Sequence, residues 1–166
     1  MRALLLLLAA ATLAGCAAPQ VERRASPMSG STVSSVRGHG AACLAITCVG
    51  LGGQVDSSRP GEVLLTVHVF NEYRAVTGAS VRVGGEVVRL VPAQASTSFS
   101  GHGAPMRESS RAFLATRDLA ERLASSGDSA LRVETPGGYL EEALADSGGP
   151  SKAVAALRAL LDGSRP

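Results

Sequence analysis

Tryptophan is absent from the 166 residues, and the aromatic side chains number five: Phe70, Tyr73, Phe99, Phe113 and Tyr139. So thin a complement argues against the aromatic platforms that hold sugars in clefts, and it leaves a core that must be small and aliphatic. Lysine occurs once, at Lys152, the other 15 basic residues being arginine, a skew that with the abundant alanine and glycine reads as the codon usage of a GC-rich genome. Neither sign of charge dominates. The formal net charge is +2, and removal of an amino-terminal segment with Arg2 leaves 15 basic against 14 acidic side chains, so the concentrated basic footprint of a nucleic-acid binder is missing. No apolar run reaches the roughly 20 residues of a membrane-spanning helix. The phosphate-cradling patterns GxGxxG and GxxxxGK[ST] and the GxSxG nucleophile elbow are absent as well. A length of 166 residues corresponds to one domain.

What is present is sharpest at the amino terminus. Met1-Arg2 supplies a positive start, and Ala3 to Leu13 is apolar apart from Thr12, inside the range of about 7 to 15 residues expected for the apolar centre of a secretory signal. At its end stands Leu13-Ala14-Gly15-Cys16, which is similar to the lipobox of bacterial lipoproteins. The resemblance implies that residues 1–15 are a cleaved signal peptide. It also implies that the Cys16 thiol receives a diacylglyceryl group and that the new amino terminus is acylated. Two or more acyl chains anchor stably where one does so marginally, at about 0.8 kcal/mol per buried CH₂. In Gram-negative lipoproteins an aspartate directly after the cysteine commonly marks inner-membrane retention. Here that position is Ala17, so the expected address is the outer membrane, with the domain facing the periplasm or the cell surface.

Residues 16–40 follow as the lipidated terminus and an expected tether. The stretch 17–38 is rich in Ser, Ala, Pro and Gly, shows no sustained period, and has Glu22-Arg23-Arg24 as its one charge cluster. About 20 flexible residues have a root-mean-square reach of about 25 Å, enough for a domain to stand off a lipid surface. The folded domain is expected over 41–163.

Its first half reads as strands. Glu62 to Phe70 (EVLLTVHVF) is dense in β-branched residues, with Val63, Leu65, Val67 and Val69 on one face and Leu64, Thr66, His68 and Phe70 on the other, which predicts a central strand. Ala79–Val83 and Glu86–Leu90 flank Gly84-Gly85, a pair suited to the primed turns that require positive φ. Closing the hairpin there gathers Val81, Val83, Val88 and Leu90 on one face and Ser80, Arg82, Val87 and Arg89 on the other. Thr77 to Gly85 (TGASVRVGG) resembles a strand-turn segment of bacterial immunoglobulin-like and transthyretin-like β-sandwiches.

The second half mixes strands and helices. Thr116 is placed to cap a helix over Arg117 to Ser125, with Asp118 in the first turn, Leu119 and Leu123 one turn apart and Gly127 as a stop. Residues 129–135 return as a strand and Pro136-Gly137-Gly138 turns. Gly149-Pro150 opens a last helix whose stripe is Ala153, Val154, Leu157, Leu160 and Leu161. The order predicts an α+β fold: an antiparallel, β-rich, sandwich-like domain with two helices in its carboxyl-terminal half.

Chemistry-bearing residues are few. In an exported chain Cys43 and Cys48 default to a disulfide. Residues five apart on one straight strand lie about 17 Å apart, however, and a bridge needs Cα atoms within about 7 Å, so the segment must bend for the thiols to meet. So short a loop contributes about 2 kcal/mol. The alternative is a metal-binding lipoprotein. His39 and His102 lie in matching contexts, SVRGHGA and SFSGHGA, and with Cys43 and Cys48 they offer the ligand types of a Zn²⁺ or Cu⁺ site, although the spacing fits no common zinc pattern. His68 shows no partner along the chain, Ser100 near His102 lacks an acid to complete a triad, and Glu141-Glu142 with Asp146 reads as a solvated face. The leading expectation is a non-enzymatic, lipid-anchored protein without cofactor that supports an envelope assembly or binds an unidentified envelope protein.

If Cys16 carries the lipid, the wild-type chain will fractionate with membranes and label with a palmitate analogue, whereas Cys16→Ser will lose the label and accumulate as unprocessed precursor. Labelling that survives in Cys16→Ser defeats the assignment.

Overall fold

A computed structural model describes residues 19–43, 45–101, 106–146 and 148–165, the side chain of Asp146 excepted. Twelve strands and two helices are arranged as two antiparallel sheets among these residues. The larger sheet runs β1 (Glu22–Ala25), β2 (Thr32–Gly40), β3 (Cys48–Asp56), β4 (Glu62–Phe70), β9 (Glu108–Thr116) and β7 (Val91–Pro92), with β8 (Ser98–Ser100) also paired to β9. The smaller sheet runs β12 (Gly149–Pro150), β11 (Gly138–Asp146), β10 (Ser129–Thr135), β5 (Gly78–Val83) and β6 (Glu86–Arg89). Helices α1 (Arg117–Ser125) and α2 (Lys152–Gly163) close the space between them. The fold is therefore α+β, strand-rich and sandwich-like, with both helices in the carboxyl-terminal half.

The period-2 pattern of β4 has its expected consequence. Val63, Leu65, Val67 and Val69 are fully buried between the layers, and β4 lies inside the sheet, flanked by β3 and β9. The β5–β6 hairpin closes on Gly84-Gly85 with φ of +58° and +82°, and pairs Val83 with Glu86 and Val81 with Val88. Val81, Val83 and Leu90 enter the core while Val87 stands out in solvent. Thr116 caps α1, its hydroxyl accepting from the Leu119 amide at 3.2 Å, and Leu119 and Leu123 are buried. In α2 the whole stripe Ala153, Val154, Leu157, Leu160 and Leu161 is buried.

Several boundaries differ from expectation. The stretch read as a tether forms β1 and β2, and β2 supplies Val33 and Val36 to the core, so the domain begins near Val21 and not at residue 41. Serine and glycine hide this strand from a pattern reading because they carry little apolar signal, yet its backbone completes the ladder beside β3. Gly149-Pro150 does not open α2; it pairs with Ala145 and Asp146, and Ser151 is the cap, accepting from the Val154 amide at 3.3 Å. The residues around Glu141-Glu142 form a strand, β11, with Glu141 held at 2.7 Å by Arg132.

Leu157→Asp places a carboxylate where only 2% of the leucine is exposed and is expected to cost about 4 kcal/mol. Arg82, in a two-pronged pair with Asp128 at 2.8 and 3.0 Å on the outer surface, is expected to leave the unfolding midpoint nearly unchanged when changed to Ala. Denaturant unfolding of the two variants separates them; equal midpoints would mean that the faces are misassigned.

Candidate functional site

Of the residues singled out in the sequence, Cys16 and His102 lie outside the described residues. Cys43 and Cys48 are joined as a disulfide with Cα atoms 5.4 Å apart. The bend that permits this is the turn from β2 into β3. Cys43 sits in the connecting loop and Cys48 opens β3, and the Ala42 amide donates to the Ala143 carbonyl at 2.9 Å, fastening the loop to the small sheet. Both thiols are thus consumed by each other, and His39, half-buried on β2, is without the sulfur ligands that a metal site with Cys43 and Cys48 would need. Among the described residues no group of three or more His, Cys, Asp or Glu side chains converges as a metal site.

His68 is the buried titratable residue, and it does have a partner, contrary to the sequence reading. Its Nδ1–H donates to Glu108 Oε1 in a short hydrogen bond. The two are 40 residues apart in the chain but nearly opposite in space, because β4 and β9 pair Phe70 with Glu108 and His68 with Ser110. The imidazole stacks on Phe70, ring centres 5.6 Å apart and planes 5° from parallel. Its other face is closed by β2. A methyl group added at Gly38 would stand 2.6 Å from the imidazole ring, and one at Gly50 would collide with the His39 carbonyl and the Phe70 ring. Only an unsubstituted backbone lets β2 lean over β3 and reach a side chain two strands away. Glu108 is pulled below its ordinary value by the His68 hydrogen bond first, against the opposing effect of partial burial, with the His68 charge and then a Ser100 hydroxyl adding smaller contributions in the same direction.

A carboxylate that orients a histidine through Nδ1 is the arrangement used by catalytic and metal-binding imidazoles, whose Nε2 then does the chemistry. Here Nε2 is buried and, among the described residues, has no hydrogen-bond partner. Among the described residues no serine or cysteine pairs with it as a nucleophile, and Gly38 lies against the ring. The dyad works as a clamp joining β2, β4 and β9.

The same end of the large sheet carries an apolar loop platform. The disulfide loop presents Ile46 at 85% exposure, and Met106, Phe99 and Tyr73 stand out beside it at 60, 45 and 36%. These loops hold each other: Asn71 donates through its side chain to the Ile46 carbonyl at 2.7 Å and through its amide to the Arg107 carbonyl at 2.7 Å. Tyr73 meets Phe99 edge-on at 5.9 Å, with the Arg107 guanidinium 5.8 Å above the Tyr73 ring. Below them Arg111 donates to the carbonyls of Val76, Thr77, Gln94 and Ala95 at 2.9 to 3.2 Å, and buried Ser109 accepts from the Arg74 amide.

No known protein family, characterised protein or solved structure matches the chain. The reading of the site therefore rests on its geometry. The sequence pattern missed Glu108 because β9 (ESSRAFLAT) lacks a clean alternation. The one available hint was His68 on a strand whose opposite face was wholly apolar.

The dyad implies a pH signature. Because the folded value of Glu108 lies below its ordinary 4.5, its contribution is fully present above that value and is lost as the pH falls through the lowered one. Glu108→Gln should therefore cost on the order of 1 kcal/mol at pH 7, and the gap to wild type should close in acid below the ordinary carboxylate value. A gap independent of pH would show that the carboxylate charge is not what holds the clamp.

Proposed function

We propose that the protein is a lipid-anchored module of the bacterial envelope, held through Cys16 at the outer membrane, that binds an envelope protein through the loop platform and carries out no catalysis. The observation that carries this reading is the platform itself. Ile46, Tyr73 and Met106, on loops tied by a disulfide and by inter-loop hydrogen bonds, and Phe99, on the short strand β8, are exposed apolar side chains. Exposing one such side chain is ordinary, but a group of them on rigid backbone is the preorganised apolar centre that a protein interface needs, since little conformational freedom is lost on docking. Arg74, Glu72 and Arg107 stand around it as a polar rim, with Glu72 bound by Arg74 at 2.8 Å and by the Thr47 hydroxyl at 3.0 Å. No helix among the described residues is long and apolar enough to cross a membrane. Metal carriage finds no support once both thiols are paired.

The test is photo-crosslinking in intact cells from residue 46 and, as a control, from residue 87, whose valine is comparably exposed on the far sheet. The expected result is one discrete adduct from 46, suppressed by Met106→Asp, and none from 87. Equal adducts at both positions, or an adduct indifferent to Met106→Asp, would leave the platform without a role.

A further inference from the structure

Beside the carboxyl end of α2 lies a groove of about 540 Å³ between β1, β2 and the turn after β3. Arg23 and Arg165 stand at its walls, and hydroxyls line it from Thr32, Ser34, Ser57 and Ser164, with no carboxylate among the lining residues. Arg23 donates one N–H to the Gly163 carbonyl at 2.5 Å and has no ion-pair partner among the described residues, so its remaining donors are uncommitted. Arg165 has Asp162 as its acidic neighbour, at 3.6 Å. The Ser57 hydroxyl accepts from the Thr32 amide at 2.9 Å, which leaves its own proton to donate. Two of the helix-end carbonyls that would repel an anion are themselves occupied, Gly163 by Arg23 and Leu161 by Arg117 and the Ser164 hydroxyl. Two guanidiniums with the Ser57 hydroxyl as a further donor, and no carboxylate among the lining residues, are what a phosphate group recognises.

Placement identifies the source of the phosphate. Val21 packs against the core beside Gly163, and β1 begins at Glu22. Arg23 is seven residues from Cys16 in the chain, a span of at most about 25 Å however those residues run. We propose that this groove binds the phosphate of an anionic phospholipid headgroup in the membrane that carries the anchor, so that the domain lies against the bilayer along its β1 and α2 side. The inference rests on the proposed lipidation of Cys16 for its geometry, but its test does not use that residue.

Every core residue lies between Val21 and Leu161, so the chain from Ala17 onward, secreted with an ordinary signal peptide, keeps the whole fold. It is mixed with vesicles of phosphatidylcholine alone or of phosphatidylcholine with phosphatidylglycerol, and bound protein is sedimented. Binding should appear with phosphatidylglycerol only and should weaken about fivefold in Arg23→Gln. Arg23→Lys should retain part of it. The control is Arg24→Gln, an identical charge change at the adjacent residue of β1, where alternation turns the side chain to the opposite face. Thermal midpoints of the variants show that each is folded. Equal weakening by Arg24→Gln would mean diffuse attraction and no site. A domain that ignores both vesicles but is stabilised by inorganic phosphate through Arg23 would have a free-anion site, overturning the lipid assignment, and a domain that responds to neither has no anion site. Palmitate labelling reads the anchor and sedimentation reads the groove, so either can fail alone.

Discussion

One strand organises the molecule. β4 buries Val63, Leu65, Val67 and Val69 completely, a contribution of roughly 6 to 12 kcal/mol before the entropy of ordering is subtracted. Its alternate residues, His68 and Phe70, face the other way, and β2 and β9 are held to it from that side by the imidazole clamp. Because successive side chains leave a strand in opposite directions, burying the valines obliges His68 to occupy the outer face. That face must supply a partner, and Glu108 does. The core, the clamp and the loop platform at the strand's end are thus one arrangement seen from different sides.

The second organising feature is the nearness of the first strand to the last helix. Arg23 and Val21 meet Gly163, so the amino-terminal segment is joined to the domain within a few residues of Cys16. A lipid on that cysteine would act on a short strap instead of the long flexible tether that the composition of residues 17–38 suggested, and the orientation of the domain relative to its membrane becomes a property of the fold. If the β1 and α2 side is turned toward lipid, the Ile46 loop lies at the far end of β3 from the turn bearing Ser57 and Pro60, which walls the groove.

What was legible in the sequence follows from how each element buries its surface. β4, the Gly-Gly hairpin and both helices announced themselves because they bury regular stripes of Val, Leu and Ala and end in turn or cap residues. β2 and β3 did not, since their glycines and serines are there to permit close backbone approach, as at Gly38 and Gly50, and such residues read as linker. β9 was obscured by Arg111 and Ser109, which serve loop carbonyls and not the apolar core. The His68–Glu108 pair was invisible for a different reason. Its spacing along the chain is set by an intervening hairpin and loops, and no local period encodes a contact made across two strands.

The placement of α2 also has a kinetic consequence. It is the last element in the chain, yet it packs on β2 and β3, among the first to be made. Likewise β4 waits for β9, and β5 for β10, each across tens of residues. A chain emerging amino terminus first therefore holds β2 and β3 with their inner faces incompletely covered until α2 has been made, since Leu157 and Leu160 come from that helix. A chain cut short before α2 would leave the inner faces of β2 and β3 without the helix that covers them instead of making a smaller version of the same domain.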